Sequence, residues 1–345
     1  MKSWQFWLGV IISIICIGFV LGQIDDWSLF GQSFLNADYR MLVPIIAAYF
    51  LVLFIKAARW QYILNQSGRV RLRNTWVSML ICYMGNNIFP LRAGEIMRVF
   101  LIGKQEPGTT FSATLATVVV ERLFDFIVVL VLLAVVLLRI PFPEKYRDLE
   151  SLVHNFGAVT LIGAAALFIF LFLLYARQEP MIALIGRLMF FLPPGPREKI
   201  LSILRRFTSG LVIMGRPRAL LATFAISILA WIVNLVPVWL SGLAFNIHLD
   251  LIGCMFMMVV GAAAASIPAT PGFFGTFHAF NQQALVFLMG VDPGIALSFA
   301  IVLHATYYFP TVAAGAFVAW REGYSLTKLR AEAEQSGRVE KIAPP

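Results

Sequence analysis

Apolar residues fall in long unbroken stretches along this chain, and polar residues gather in short segments between them. Stretches at about 4–22, 41–64, 111–139, 155–176, 217–242 and 294–320 approach or exceed the roughly 20 residues an α-helix needs to cross hydrocarbon; none shows the period-two alternation of a barrel strand. Two further apolar stretches, 74–104 and 251–290, are interrupted. The first breaks at Phe89-Pro90-Leu91-Arg92-Ala93-Gly94, the second at Ile267-Pro268-Ala269-Thr270-Pro271-Gly272. Proline removes a backbone donor and clashes with the preceding turn, while glycine supplies a permissive corner, so each break ends one helix and starts another. The pattern predicts an all-α polytopic membrane protein with about six full transmembrane helices and two broken-helix hairpins. One integral-membrane domain, 1–320, is followed by a short tail, 321–345.

Charge sets the orientation. The chain of 345 residues is 60% hydrophobic and 13% charged, against about 25% charged in a soluble domain. Its net charge of +9 is spread over short loops rather than gathered in a patch, which excludes a nucleic-acid surface and fits the positive-inside rule. Lys56, Arg59, Arg69, Arg71 and Arg73 mark 56–73 as cytoplasmic, as do the basic residues of 177–218 and the tail. The segments 23–40 and 243–250 carry acidic residues and belong outside, and both termini fall on the cytoplasmic side. Parity then requires 74–104 to enter and return. Its legs of about 24 and 15 Å favour a re-entrant hairpin, and 251–290 enters from the opposite face. Between the fourth and fifth spans, 178–216 interleaves basic and apolar residues, as amphipathic helices at the interface do. Cys16, Cys82 and Cys254 lie far apart, with no metal or disulfide spacing.

The costly residues cluster. Asn86, Asn87, Arg92, Glu95, Arg98, Glu121, Arg122 and Asp125 sit in otherwise apolar surroundings, and a charge at mid-bilayer costs roughly 2.5–3.5 kcal/mol on insertion scales. Such groups face one another, a cavity or a ligand. One reading is an ion-pair network pinning the first hairpin to the 111–139 helix; the other is a phosphate grip by Arg92 or Arg122 with the amides of Asn86 and Asn87. In the second hairpin Ser266, Thr270, Thr276 and His278 surround Pro271, Gly272 and Gly275, able either to receive a headgroup or to satisfy interrupted backbone. His278 and His304 have no neighbouring carboxylate or cysteine and do not make a zinc site. The sequence contains no phosphate-binding G-x-x-x-x-G-K-[ST] loop, no G-x-S-x-G elbow and no H-E-x-x-H, so neither enzyme activity nor a cofactor is expected.

Three motifs, N-x-x-P-x-R-x-G-E-x-x-R (Asn87 to Arg98), E-R-x-x-D (Glu121, Arg122, Asp125) and P-x-x-P-G-x-x-G (Pro268 to Gly275), occur in order. Together they resemble the lysylphosphatidylglycerol synthase transmembrane region family, also called the UPF0104 flippase-like family. The resemblance implies translocation of a phospholipid or related polar lipid between leaflets of the cell membrane. The aminoacyl-transferase domain of its best-known members is not expected here, since the last helix is followed by the short tail 321–345, and the sequence departs from the family at His278, where many relatives have glutamate. The expected substrate is an anionic, phosphate-bearing membrane lipid. Arg92 and Arg122 bind its phosphate, and Glu95, Glu121 and Asp125 orient them or carry protons. Asn86, Asn87, Thr270 and Thr276 line the path. The alternatives are a membrane-embedded enzyme acting through Glu121 and Asp125 on a lipid-linked intermediate, and an accessory subunit of a separately encoded transferase.

Overall fold

The computed structural model describes residues 4–89, 92–106, 108–139, 147–267 and 271–325. The chain folds as α1 (Trp4–Leu21), α2 (Trp27–Asn36), α3 (Leu42–Leu64), α4 (Leu72–Ile88), α5 (Ala93–Gln105), α6 (Phe111–Arg139) and α7 (Arg147–Ala176), then α8 (Gln178–Leu188), α9 (Pro194–Thr208), α10 (Pro217–Val233) and α11 (Leu235–Ala244), and finally α12 (Leu251–Ser266), α13 (Thr276–Met289) and α14 (Pro293–Arg321). No strand occurs among the described residues. Helices over Tyr39–Leu64, Gly157–Ala176, Pro217–Ala244 and Pro293–Arg321 are long and apolar enough to cross a membrane. Helix α6 has the length, 29 residues, but carries Glu121, Arg122 and Asp125 in its middle. Large apolar side chains such as Val159, Ile162 and Ile169 stand exposed on α7, as lipid contact requires and water does not favour.

Both interrupted stretches are helix-turn-helix hairpins. The legs α4 and α5 have 17 and 13 residues, and α12 and α13 have 16 and 14, so each rises only about 20–26 Å against a hydrocarbon thickness of about 30 Å. The first hairpin closes on glycine. A Cβ on Gly94 would strike the Cys82 carbonyl oxygen, and one on Gly85 would lie 2.9 Å from the Gly94 Cα; small residues let helix backbones approach this closely. Helix α14 is the wall shared by both hairpins. It packs on α4, where Gly315 leaves room for Met84, and on α13, where Leu297 meets Ala279 and Val20 of α1.

Several sequence expectations change. The outer segment 23–40 contains a helix, α2, whose start is capped by Asp26 accepting from the Ser28 and Leu29 amides, and α2 packs on α14. The 217–242 span is present as Pro217–Ala244, with an interruption at Asn234, where Pro237 cannot donate to the carbonyl one turn back. Helix α7 begins at Arg147, eight residues before the apolar stretch that starts at 155. The amphipathic pair in 178–216 is α8 and α9, which turn Ile182, Gly186 and Leu201 inward.

Candidate functional site

A buried network of ionised side chains joins α3, α5 and α6. Arg59, Arg98 and Glu121 are each 0% exposed. Arg59 reaches Glu121 at 2.8 Å, Asp125 at 2.6 Å and the Ser227 hydroxyl at 2.7 Å. Arg98 reaches Glu121 at 2.9 Å and Glu95 at 2.6 Å, and its guanidinium lies 4.6 Å from the Trp60 ring centre. Arg122, its side chain 35% exposed, is shared among Glu121 at 3.1 Å, Asp125 at 3.5 Å and Glu95 at 3.8 Å. The Trp231 indole donates to Asp125 at 3.2 Å. Three guanidinium groups therefore face three carboxylates, and the cluster is electrically balanced. Balance is what lets it persist away from water, since each buried ion costs several kcal/mol before pairing.

Of the residues singled out in the sequence, Glu95, Arg98, Glu121, Arg122 and Asp125 meet in this network. The ion-pair reading thus describes the geometry around Arg122, whose guanidinium is already engaged by carboxylates. Arg59 and Lys56, counted in the sequence with the basic segment 56–73, both lie within α3, as the 41–64 stretch places them, and Arg59 is at the network's centre. The positive-inside count grouped them with the basic residues that follow, although the apolar run continues past both to Leu64. A basic pair five and eight residues inside the end of a predicted span was the available signal.

The two hairpin corners meet. Arg92 caps α5 in the left-handed conformation, φ 51°. Its guanidinium donates to the Ala265 carbonyl near the end of α12 and lies 5.8 Å from the Phe273 ring centre. Gly272, φ 71°, sits against Tyr308, and a Cβ there would lie 3.1 Å from the Asn87 carbonyl oxygen. Asn87 itself donates to Thr311 of α14 at 2.9 Å. Asn86 is half-buried beside Gly94, with its amide oxygen buried and unpartnered. Among the described residues, Arg92 makes no carboxylate ion pair.

In the second hairpin, Thr276 bonds the Phe273 carbonyl at 3.2 Å, the backbone-satisfying role. Gly275, φ 86°, lies so close to Ser13 of α1 that a Cβ would come within 2.7 Å of its carbonyl oxygen. The Gly275 amide donates to His278 Nδ1 at 3.3 Å, and His278 Nε2 lies 3.2 Å from His304 Nδ1. The sequence reading left these histidines unrelated; only the packing of α13 on α14 joins them. Pro271 opens a short 3-10 turn, Pro271–Phe273, whereas Thr270 and Pro268 lie outside the described residues.

Beside the corners is a cavity of about 160 Å³, lined by residues of α3, α10–α14 and the Asn234 break, including Tyr49, Lys56, Trp231, Asn281 and Tyr307. Ala262 in its wall is one turn before Ala265, the partner of Arg92. None of the arginines lines it. Trp231 separates cavity from network, with one face toward Lys56 Nζ at 5.5 Å and its N–H toward Asp125.

These features define a polytopic helical membrane protein whose two broken-helix hairpins meet over a buried polar centre. The chain belongs to the lysylphosphatidylglycerol synthase TM region family, whose model matches residues 6–315. It is 25% identical over 338 residues to glycosyltransferase AglD of Haloferax volcanii, covering 89% of this chain and 53% of that protein, so it spans about half of AglD's length. It is also similar to UPF0104 membrane proteins, 25% identical to one from Methanothermobacter thermautotrophicus over 81% of this chain and 83% of the relative, and 22% identical to one from Pyrococcus horikoshii over 82% and 88%. No solved structure matches.

Proposed function

We propose that the chain moves a polar, phosphate-bearing lipid headgroup between the leaflets of the cell membrane. In this reading the two hairpins are re-entrant and enter from opposite faces, and the headgroup passes where their corners meet while the acyl chains stay in hydrocarbon. The observation that carries it is the junction of Arg92 with the Ala265 carbonyl and Phe273. Non-helical backbone at membrane depth is tolerated where it is buried in protein or lines a cavity, and discontinuous helices meeting near mid-depth are how transporters build substrate sites. Arg92, without a carboxylate partner among the described residues, contacts the phosphate; the balanced network of Arg59, Arg98 and Arg122 holds α3, α5 and α6 in place, with Arg122 at its exposed edge. Replacing Arg92 by Gln should reduce leaflet transfer of a labelled anionic lipid in reconstituted vesicles at unchanged protein insertion. Transfer at the wild-type rate refutes the assignment.

A second reading is favoured by the match to a relative named a glycosyltransferase: the chain serves as membrane partner to a separate transferase acting on a lipid-linked substrate. Co-purification of such an enzyme with the tagged full chain supports this reading, and its consistent absence opposes it.

A further inference from the structure

The corner of the second hairpin holds a backbone that its own sequence does not favour. Gly272, Phe273 and Gly275 take φ values of 71°, 60° and 86°, and for a bulky residue such as Phe273 the left-handed region is a steric outlier. Such strain persists where the surroundings over-determine it. Here two imidazoles do so. The Gly275 amide donates to His278 Nδ1 at 3.3 Å, His278 Nε2 meets His304 Nδ1 at 3.2 Å, and His304 hydrogen-bonds the Gly272 backbone. The chain of contacts leaves the corner at one glycine and returns to it at the other. Ser13 of α1 donates to the Phe274 carbonyl and Thr276 to that of Phe273, which pins the carbonyls in between.

The polarity of this chain is fixed from one end. Because Nδ1 of His278 accepts from an amide, the neutral ring carries its proton on Nε2. That N–H donates to Nδ1 of His304, which leaves the His304 proton on Nε2. Each acceptor nitrogen is then already covered by an N–H. An added proton on His304 Nδ1 would face the His278 N–H, and one on His278 Nδ1 would face the Gly275 amide; either sets donor against donor. Nor do the surroundings favour an imidazolium. Helices α1, α2, α11, α12 and α13 carry no Asp, Glu, Lys or Arg, and α1 and α12 add only the thiols of Cys16 and Cys254. From α14 come Tyr308, its ring centre 5.8 Å from that of His304, and Tyr307, 6.4 Å from Phe277. From α3 come Tyr49, against Tyr307, and Lys56, across the cavity that Phe277 lines. The first corner brings Asn87 against Gly272 and the cation Arg92 against Phe273. Among the described residues no carboxylate faces the pair, so a proton there adds a cation that nothing pairs.

We infer that His278 and His304 form a proton-binding site that latches the second hairpin corner. With both imidazoles neutral, the chain of hydrogen bonds is complete and the turn from Gly272 to Gly275 is held. Binding of one proton breaks a link, and the strained backbone relaxes. Closure and protonation compete, so the latch holds at neutral pH and is lost on acidification. Because the Phe273 ring lies against Arg92, release of the corner also loosens one contact between the two hairpins. Lipid transfer plays no part in this step, so failure of either reading leaves the other untouched.

The test is hydrogen exchange on the purified full chain in detergent, following peptides over 271–279 between about pH 8 and about pH 5, the interval in which imidazole changes charge. Protection there, corrected for the intrinsic pH dependence of exchange, should fall at least about tenfold on acidification, the order expected for one lost buried hydrogen bond. Peptides of α6 should hold theirs. His278→Gln separates the proton from the fold: its side-chain oxygen accepts from the Gly275 amide, as Gln does at this position of a helix start, and it has nothing to titrate. This variant should keep the corner protected at both ends of the range. Constant protection in the wild type, or acid opening undiminished in His278→Gln, overturns the latch. Nitrogen NMR of isotope-labelled histidines in the wild type needs no variant: both rings should be Nε2–H tautomers at about pH 8, and at least one should carry two protons at about pH 5. Either ring as the Nδ1–H tautomer at the upper end, or both still neutral at the lower, overturns it as well.

Discussion

Replacing Arg59 by Met tests the buried network most directly. The guanidinium contacts Glu121 at 2.8 Å, Asp125 at 2.6 Å and Ser227 at 2.7 Å, and it is fully buried. Methionine fills much of the same volume, so the main consequence is electrostatic. Three carboxylates would then face two guanidinium groups, leaving one net negative charge among helices that exclude water. Removing one partner of a buried pair costs about 3–5 kcal/mol, which is roughly two to three and a half powers of ten in the folded population at 1.4 kcal/mol per tenfold. Unfolding in mixed micelles, followed by tryptophan fluorescence, reads this as an earlier midpoint. The double variant Arg59→Met with Asp125→Asn restores the balance and keeps an oxygen for the Trp231 indole. It should therefore recover a substantial part of the loss. A single variant within about 1 kcal/mol of wild type, the value of an exposed surface pair, or a double variant no better than the single, refutes the reasoning.

Two other substitutions probe the hairpins. Gly94→Ala drives a methyl into the Cys82 carbonyl and within 2.8 Å of the Asn86 amide nitrogen; both are backbone and cannot step aside, so overpacking of about 1–3 kcal/mol or more is expected, and a wild-type melting midpoint would contradict the close helix contact. His304→Phe leaves His278 Nε2 facing an aromatic ring, at a cost of about 1–3 kcal/mol, whereas His304→Asn, which keeps a polar group near the Nδ1 position, should lose less; an Asn variant as unstable as the Phe variant would show that the histidine contact is not the source of the effect.

The sequence alone determined the class of molecule. Long apolar runs fixed the helices because hydrocarbon leaves the backbone no other partners. The Pro-Gly interruptions fixed where two of them turn back, and the corners at Arg92 and Gly272 lie where those residues place them. The shortage of charge elsewhere marked Glu95, Arg98, Glu121, Arg122 and Asp125 as a group. What the tertiary structure decided is which charges answer one another. Arg59 and Lys56 are three residues apart on one helix and belong to the same basic cluster by count, yet α3 turns one toward two carboxylates and the other toward a cavity containing none. His278 and His304 became a pair, and Asn234 and Tyr307 became neighbours of one space, only because α10, α13 and α14 pack together. Periodicity records how a residue sits on its own helix. Compensation of a buried charge or hydrogen bond depends on a second helix brought close by folding, and no local pattern carries that distance.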